Sequence, residues 1–390
     1  MVLYRKGIPI WRDTKIISWA AQILSTILVI SLLVFLISNL LNAANNRGFS
    51  LGFDFIHQEA GFPISESVVD YKESDSFLHA FYVGILNTIR VAFIGIFFAT
   101  ILGTLLGIAR VSTNWALKNL SLVYVEIFRN IPLLVQLFFW YFIIFQSFPK
   151  VQDAISLPGG IYLSNRGIFL PNLVFSTESA ITLFACGCLI ILMIFSLYKI
   201  TALPETYFAR IKRILVYMAS AITIVILVYV LTTQLQVSID TPELGKFNFE
   251  GGLRITPEFA ALLLGLTIYT ASFIAEIVRA GIQSVPKGQY ESAYALGLSK
   301  TETLKLIILP QALKVIIPPM INQYLNLSKN SSLAIAIGYP DAFFVGRTMI
   351  NQAGRAVPIF GMVMLCYGLI SLMWSVMGNL FNRKTNVGRN

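Results

Sequence analysis

The side chains able to do chemistry in this sequence fall into three groups. The segment GQYESAYALGLSKTETLKLIILP, residues Gly288 to Pro310, sets Glu291, Ser292, Ala293 and Gly297 in a charged stretch between two apolar runs. Further on, Asn322, Asn326, Ser328, Lys329, Asn330 and Ser331 place amides, hydroxyls and an ammonium inside an otherwise apolar run. Two acid–base pairs, Glu126-x-x-Arg129 and Glu276-x-x-Arg279, share an i, i+3 spacing. Such groups can solvate a polar solute or grip a partner, but they form no nucleophile and base constellation. The phosphate loop G-x-x-x-x-G-K-[ST], the zinc motif H-E-x-x-H and the fingerprint G-x-G-x-x-G are all missing. Any ATP used with this chain is therefore hydrolysed by another subunit.

The elements that position these groups are membrane spans. Of 390 residues, 56% are hydrophobic and 12% charged, with a mean hydropathy of +0.74, far from a soluble globular balance. A spanning helix needs about 20 mostly apolar residues. About eight such runs occur by hydropathy: Ile17–Leu41, Ala80–Ala109, Leu120–Phe145, Ala180–Tyr198, Ile214–Thr232, Phe259–Ile282, Leu313–Ile337 and Pro358–Phe381. The first is too long for the apolar core of a cleaved secretion signal, so a retained span is expected.

A net charge of +10 would suggest a nucleic-acid partner in a soluble protein, but here the charges alternate by loop. Arg5, Lys6, Arg12 and Lys15 lie at the N-terminus, and Lys199, Arg210, Lys212 and Arg213 follow the fourth run. Lys287 precedes the charged stretch and Lys300 and Lys305 lie within it, while Arg383, Lys384 and Arg389 lie in the tail. The first intervening loop is acidic, with Asp54, Glu59, Glu66, Asp70, Glu73 and Asp75. The excess of Lys and Arg on the cytoplasmic side places both termini inside. Cys186, Cys188 and Cys366 lie in apolar runs, where a thiol acts as a small hydrophobe. His57 and His79 have no matched ligand cluster. Neither a disulfide nor a metal site is expected.

Residues Glu291 to Leu296 favour helix, Gly297 is a natural left-handed stop, and Ser299-Lys-Thr-Glu302 has the form of a capping box opening a second helix. Periodicity leaves two readings equal: a short helix that enters a groove on a partner, or an amphipathic helix lying on headgroups.

The residue order adds a resemblance. Glu291-Ser292-Ala293, Gly297, Ile307 and Leu309-Pro310 resemble the E-A-A-x-x-x-G…I-x-L-P signature of ABC-importer membrane subunits, with Ser292 in place of the second alanine. GILNTIRVA from Gly84, YVEIFRNIPLLVQLFFWY from Tyr124, YTASFIAEIVRAGIQSVPKGQ from Tyr269 and NQYLNLSKNSSLAIAIGYPD from Asn322 are similar to permeases of polar amino-acid importers. Ile131 stands where many members have Thr, and the long general L-amino-acid permeases tolerate it. The resemblance implies an all-α integral membrane protein of about eight spans, a type I ABC-importer transmembrane domain with a five-helix core and three extra spans.

It further implies an N-terminal cytoplasmic segment, span and periplasmic loop over residues 1–79, a transmembrane domain over 80–382 and a cytoplasmic tail over 383–390. Within the domain, residues 146–256 form an insert of loops and a helix pair, and 283–312 the cytoplasmic coupling loop. In the insert, Pro158-Gly159-Gly160 and Pro171-Asn172 read as turns. By the resemblance Glu291, Ser292, Ala293 and Gly297 couple to the ATPase. The implied partners are a second, unlike permease, two ATP-binding subunits that hold ATP and Mg, and a periplasmic amino-acid-binding protein. No cofactor is expected in this chain.

The polar stripe Asn322, Asn326, Ser328, Lys329, Asn330 and Ser331 is assigned to the substrate path in preference to hydrogen bonds between helices. For Glu126, Arg129, Glu276 and Arg279, structural salt bridges are preferred to a place on the path. The rival class, an ion-gradient-driven transporter or channel, would show inverted repeats, and none is visible.

Overall fold

The computed structural model describes residues 4–5, 8–9, 14–47, 52–175, 207–234 and 237–385, with pieces of 186–197. The fourth apolar run is described only in pieces, and Lys6, Arg12, Cys188, Lys199 and Arg389 lie outside the described residues. The chain divides into two units, residues 1–134 with 266–390, and 135–265.

The helices follow the apolar runs. The first run becomes α1 (Thr14–Arg47) and the second α2 (Phe77–Val111), opened by the Ser76 hydroxyl accepting from the His79 amide. The third run is not one helix. It breaks into α3 (Trp115–Asn130) and α4 (Leu133–Phe138), the latter continuing as a π-helix over Phe139–Ile144. Pro132 disfavours helical backbone at Ile131, which sits at φ −90° and ψ 125°. The fifth run is α5 (Tyr207–Gln234) and the sixth α6 (Pro257–Gln283). The charged stretch gives α7 (Lys287–Ala295) and α8 (Lys300–Glu302). A π-helix over Thr303–Ile308 then leads into α9 (Leu309–Asn330), followed by α10 (Ala342–Ala353) and α11 (Ala356–Thr385). Among the described residues five helical stretches are long and apolar enough to cross a membrane, and the broken α3–α4 pair makes a sixth if it is one span.

In the first unit α2 is the spine. Gly103 and Gly107 form a small-residue stripe of the kind that lets spanning helices approach closely. A Cβ at Gly103 would lie 2.9 Å from the Ala271 carbonyl oxygen, and one at Gly107 2.7 Å from that of Ala275. The α6 backbone therefore rests on α2, with Ala271, Ile274 and Ala275 buried there. Polar side chains stitch other pairs: the Tyr124 hydroxyl donates to the Ile268 carbonyl at 2.9 Å, and Thr100 donates to the Tyr324 hydroxyl at 3.0 Å.

A buried corner fixes α10 to α2. Asp341 caps α10, accepting from the Phe344 amide at 2.8 Å and from the Tyr367 hydroxyl at 2.6 Å. Asn87 donates to the Pro340 carbonyl at 2.9 Å and to the Glu66 carbonyl at 2.8 Å, while Thr88 accepts from the Ala342 amide at 3.0 Å. Arg90 pairs with the Glu66 carboxylate at 2.6 Å. The acidic first loop is thereby anchored to the spine.

The second unit departs from the expectation of plain turns. Strands β1 (Ile155–Leu157), β2 (Ile161–Ser164) and β3 (Gly167–Leu170) pair antiparallel in succession. The chain then runs out along β4 (Asn172–Phe175), returns on β5 (Val237–Asp240), makes the hairpin β6 (Glu243–Leu244) and β7 (Phe249–Glu250), and closes the sheet with β8 (Leu253–Ile255) in the order β8-β3-β2-β1. Val151, Phe169 and Phe249 form its core, with Tyr162 stacked on Phe249 at 4.6 Å between centroids. Pro158-Gly159-Gly160 is a turn as expected, with both glycines at positive φ.

Candidate coupling loop and translocation face

The α7–α8 corner is built by local bonds. Helix α7 is capped by Leu296, and Gly297 follows at φ +79°. The Leu298 amide donates to the Ala293 carbonyl at 3.1 Å and the Gly297 amide to that of Tyr294 at 3.0 Å, the paired bonds of a Schellman stop. Two residues later Ser299 and Glu302 form the capping box, with Ser299 N–H on the Glu302 carboxylate at 2.9 Å and Glu302 N–H on the Ser299 hydroxyl at 3.3 Å. The corner near Gly297 is thus closed on both sides by local hydrogen bonds, which stiffen it.

Its outer side is presented rather than packed. Glu291, Ser292 and Gly297 are exposed, Leu296 is 80% exposed, and Ala293 is buried as the anchor. Burial, and then the neighbouring Tyr294, push the Tyr290 phenol up, so it stays a neutral donor at ordinary pH. An exposed leucine and an exposed carboxylate carried on one short corner suit a groove with an apolar floor and a polar rim.

On α9 the structure separates the predicted stripe. Asn322, Asn326 and Lys329 are exposed on one face, and Asn330 is half-buried. Ser328 and Ser331 are not on that face. Both are buried and use their hydroxyls on the helix, Ser328 donating to the Tyr324 carbonyl at 2.9 Å and Ser331 to that of Ser328 at 2.8 Å. Helical spacing groups Ser328 with Tyr324 and Ser331 with Ser328, so these hydroxyls complete backbone bonding at the end of α9.

The two acid–base pairs also differ. Glu276 takes Arg279 Nε at 3.0 Å and Arg110 Nη1 at 2.6 Å, which ties α6 to the end of α2. No ion pair joins Glu126 to Arg129 among the described residues, which corrects the expectation of a second salt bridge. Arg129 instead lies over the Phe273 ring, 5.4 Å from its centroid, and Glu126 accepts from Asn130 at 3.4 Å. An i, i+3 spacing permits a bridge, but the aromatic face of α6 holds the guanidinium away. Spacing along one helix could not reveal Arg110 or Asn87, whose partners are far away in sequence, nor the Tyr367 hydroxyl on Asp341. The pair Gly103 and Gly107 was legible as G-x-x-x-G. Among the described residues no His, Cys, Asp and Glu group could hold a metal ion.

A membrane-spanning core, a presented helix–turn–helix and a polar face on one span define a translocation subunit driven from outside its own chain. Residues 200–387 match the model of the family described as binding-protein-dependent transport system inner membrane component. The general L-amino acid transport system permease AapQ of Rhizobium johnstonii is 41% identical over 95% of this chain and 93% of its own length. The glutamate/glutamine/aspartate/asparagine transport system permease BztB of Rhodobacter capsulatus is 35% identical over 95% and 94%. A crystal structure of an amino acid ABC transporter with histidines aligns at a TM-score of 0.47 and 19% identity, covering 79% of this chain and 95% of that one. The chain belongs to the amino-acid ABC transporter permeases, within the binding-protein-dependent inner-membrane components. It is a multi-pass inner-membrane translocation component and not an ion-gradient-driven transporter.

Proposed function

We propose that this permease imports amino acids by alternating access, driven through the α7–α8 corner by separate ATP-binding subunits. The observation that carries this reading is the rigid, outward-facing corner at Glu291, Ser292, Ala293 and Gly297. ATP and Mg belong to those partner chains. A periplasmic binding protein delivers the amino acid, and a second, unlike permease completes a heterodimer. Asn322, Asn326 and Lys329 line the path between the two permeases, since exposed amides and an ammonium at that depth are costly against lipid. Glu276 with Arg110 and Arg279 holds α2 and α6 together at the inner side, and both chain termini are cytoplasmic.

Copurification of ATP-binding subunits with the tagged permease, followed by uptake of a panel of labelled amino acids in vesicles, tests the assignment. Uptake that persists without those subunits would refute it. Asn326→Leu should lower uptake or shift its selectivity at unchanged assembly. If Asn326 only bonds neighbouring helices, stability falls by about 1 kcal/mol and uptake per assembled complex stays level. Single cysteines at Ser67 and Ser299, in a background free of native cysteines, should label from opposite sides of intact cells. Same-side labelling would overturn the orientation.

A further inference from the structure

The link from α8 to α9 is not plain α-helix. Over Thr303–Ile308 it is wound as a π-helix, and the Leu309 amide bonds the Leu304 carbonyl, five residues back. Pro310, at the second position of α9, supplies the reason. It has no N–H to give to the Leu306 carbonyl, and in an α turn its ring would crowd that carbonyl. The wider winding relieves the clash and takes in one extra residue.

Neither winding is fully satisfied. In the π form Thr303 is 1% exposed and its hydroxyl has no hydrogen-bond partner. In an α form the Pro310 clash returns. A defect on either side suits a bistable element, and π segments recur at functional sites in helices. Space for the change adjoins the segment. Leu304, Ile308 and Leu309 line an apolar cavity of about 660 Å³, bounded elsewhere by Val111, Ile282 and Trp374. On the other side Gln311 donates to Gln289 at 3.1 Å, tying α7 to the first turn of α9.

We propose that Thr303–Ile308 is a rewinding joint that converts movement of the coupling corner into rotation of the polar face of α9. Rewinding from π to α turns the chain before the joint by about 100° relative to α9 and shifts it by about 1.5 Å, one residue of helix. With the corner held by a partner, α9 does the turning, and Asn322, Asn326 and Lys329 swing with it. The inference rests on the reading of Glu291–Gly297 as the ATPase-docking corner.

Deleting Leu306 together with Pro310→Ala removes both the extra residue and the ring that disfavours α winding, while keeping the corner and α9 in their present mutual orientation. The deleted permease should still copurify with its ATP-binding subunits. Its uptake should fall roughly tenfold or more, within the range of ordinary coupling energies. Parental uptake by the assembled deletion variant would overturn the joint. Should that variant not assemble, electron cryomicroscopy of the unaltered complex, nucleotide-free and ATP-trapped, decides. A Leu309 amide on Leu304 in one state and on Lys305 in the other supports the joint, and π winding in both rejects it. The same maps test the docking reading separately, because ATP-binding subunits that do not touch Glu291–Gly297 would refute that reading and the joint with it.

Discussion

Gly107→Leu is expected to remove most of the folded permease from the membrane. Its Cβ would sit 2.6 Å from the Val278 Cβ and 2.7 Å from the Ala275 carbonyl oxygen. A carbonyl inside a helix cannot rotate aside, so α6 must back away from α2 along their whole contact. Overpacking of this kind costs about 1–3 kcal/mol and more where backbone is the obstacle, a large share of a total stability of about 5–15 kcal/mol. Separation of α6 from α2 would also open the Arg110–Glu276 bridge. Thermal melting of the purified complex, with membrane abundance by immunoblot, reads the effect. Gly361→Ala is the matched control, since a Cβ there meets nothing within 4 Å. A Gly107→Leu protein that melts with the parent would show that the close approach of α2 and α6 is not needed.

Gly297→Val is expected to abolish uptake without loss of the spans. The obstacle is not space, because a Cβ at Gly297 meets no atom within 4 Å. It is the backbone, held at φ +79°, where a left-handed conformation costs roughly 1–2 kcal/mol for an ordinary L-residue and more for a β-branched one. Valine therefore drives the corner out of its Schellman stop and misdirects Leu296 and Glu291. Asparagine tolerates this conformation, so uptake should fall in the order Gly, Asn, Ala, Val while membrane levels stay equal. Equal uptake across the four would remove the corner from the mechanism.

Much of this was legible in local patterns. Hydropathy found α1, α2, α6, α9 and α11, because a span must satisfy its backbone within itself and so writes a long apolar run. The α7–α8 corner was legible because Gly297 and Ser299-x-x-Glu302 act within a few residues of themselves. The β-sheet of the second unit was not. Its strands are three or four residues long, too short for alternation to register, and β8 joins β3 across more than eighty residues of chain. The break in the third run is visible as Ile131-Pro132, yet hydropathy averages over it. Ser328 and Ser331 were misplaced because polarity marks a residue as unsuited to lipid without saying which internal partner it has. Arg129 shows the same limit for charge: spacing offered Glu126, and the fold offered Phe273.

The antiparallel ribbon of β4 and β5 sets Phe175 opposite Val237, and Cα atoms facing each other in such a ladder are about 4.5–5.5 Å apart. The chain leaves the ribbon at Phe175 and rejoins it at Val237, so the two ends of the intervening stretch lie side by side. A two-residue turn such as Asn-Gly could close that gap in the twist the ribbon already has. The sheet β8-β3-β2-β1 would keep its register, since none of its strands lies in the excised stretch. Helix α5 thus lies in a stretch of chain whose two ends meet at one ladder pair, where a single splice would join them.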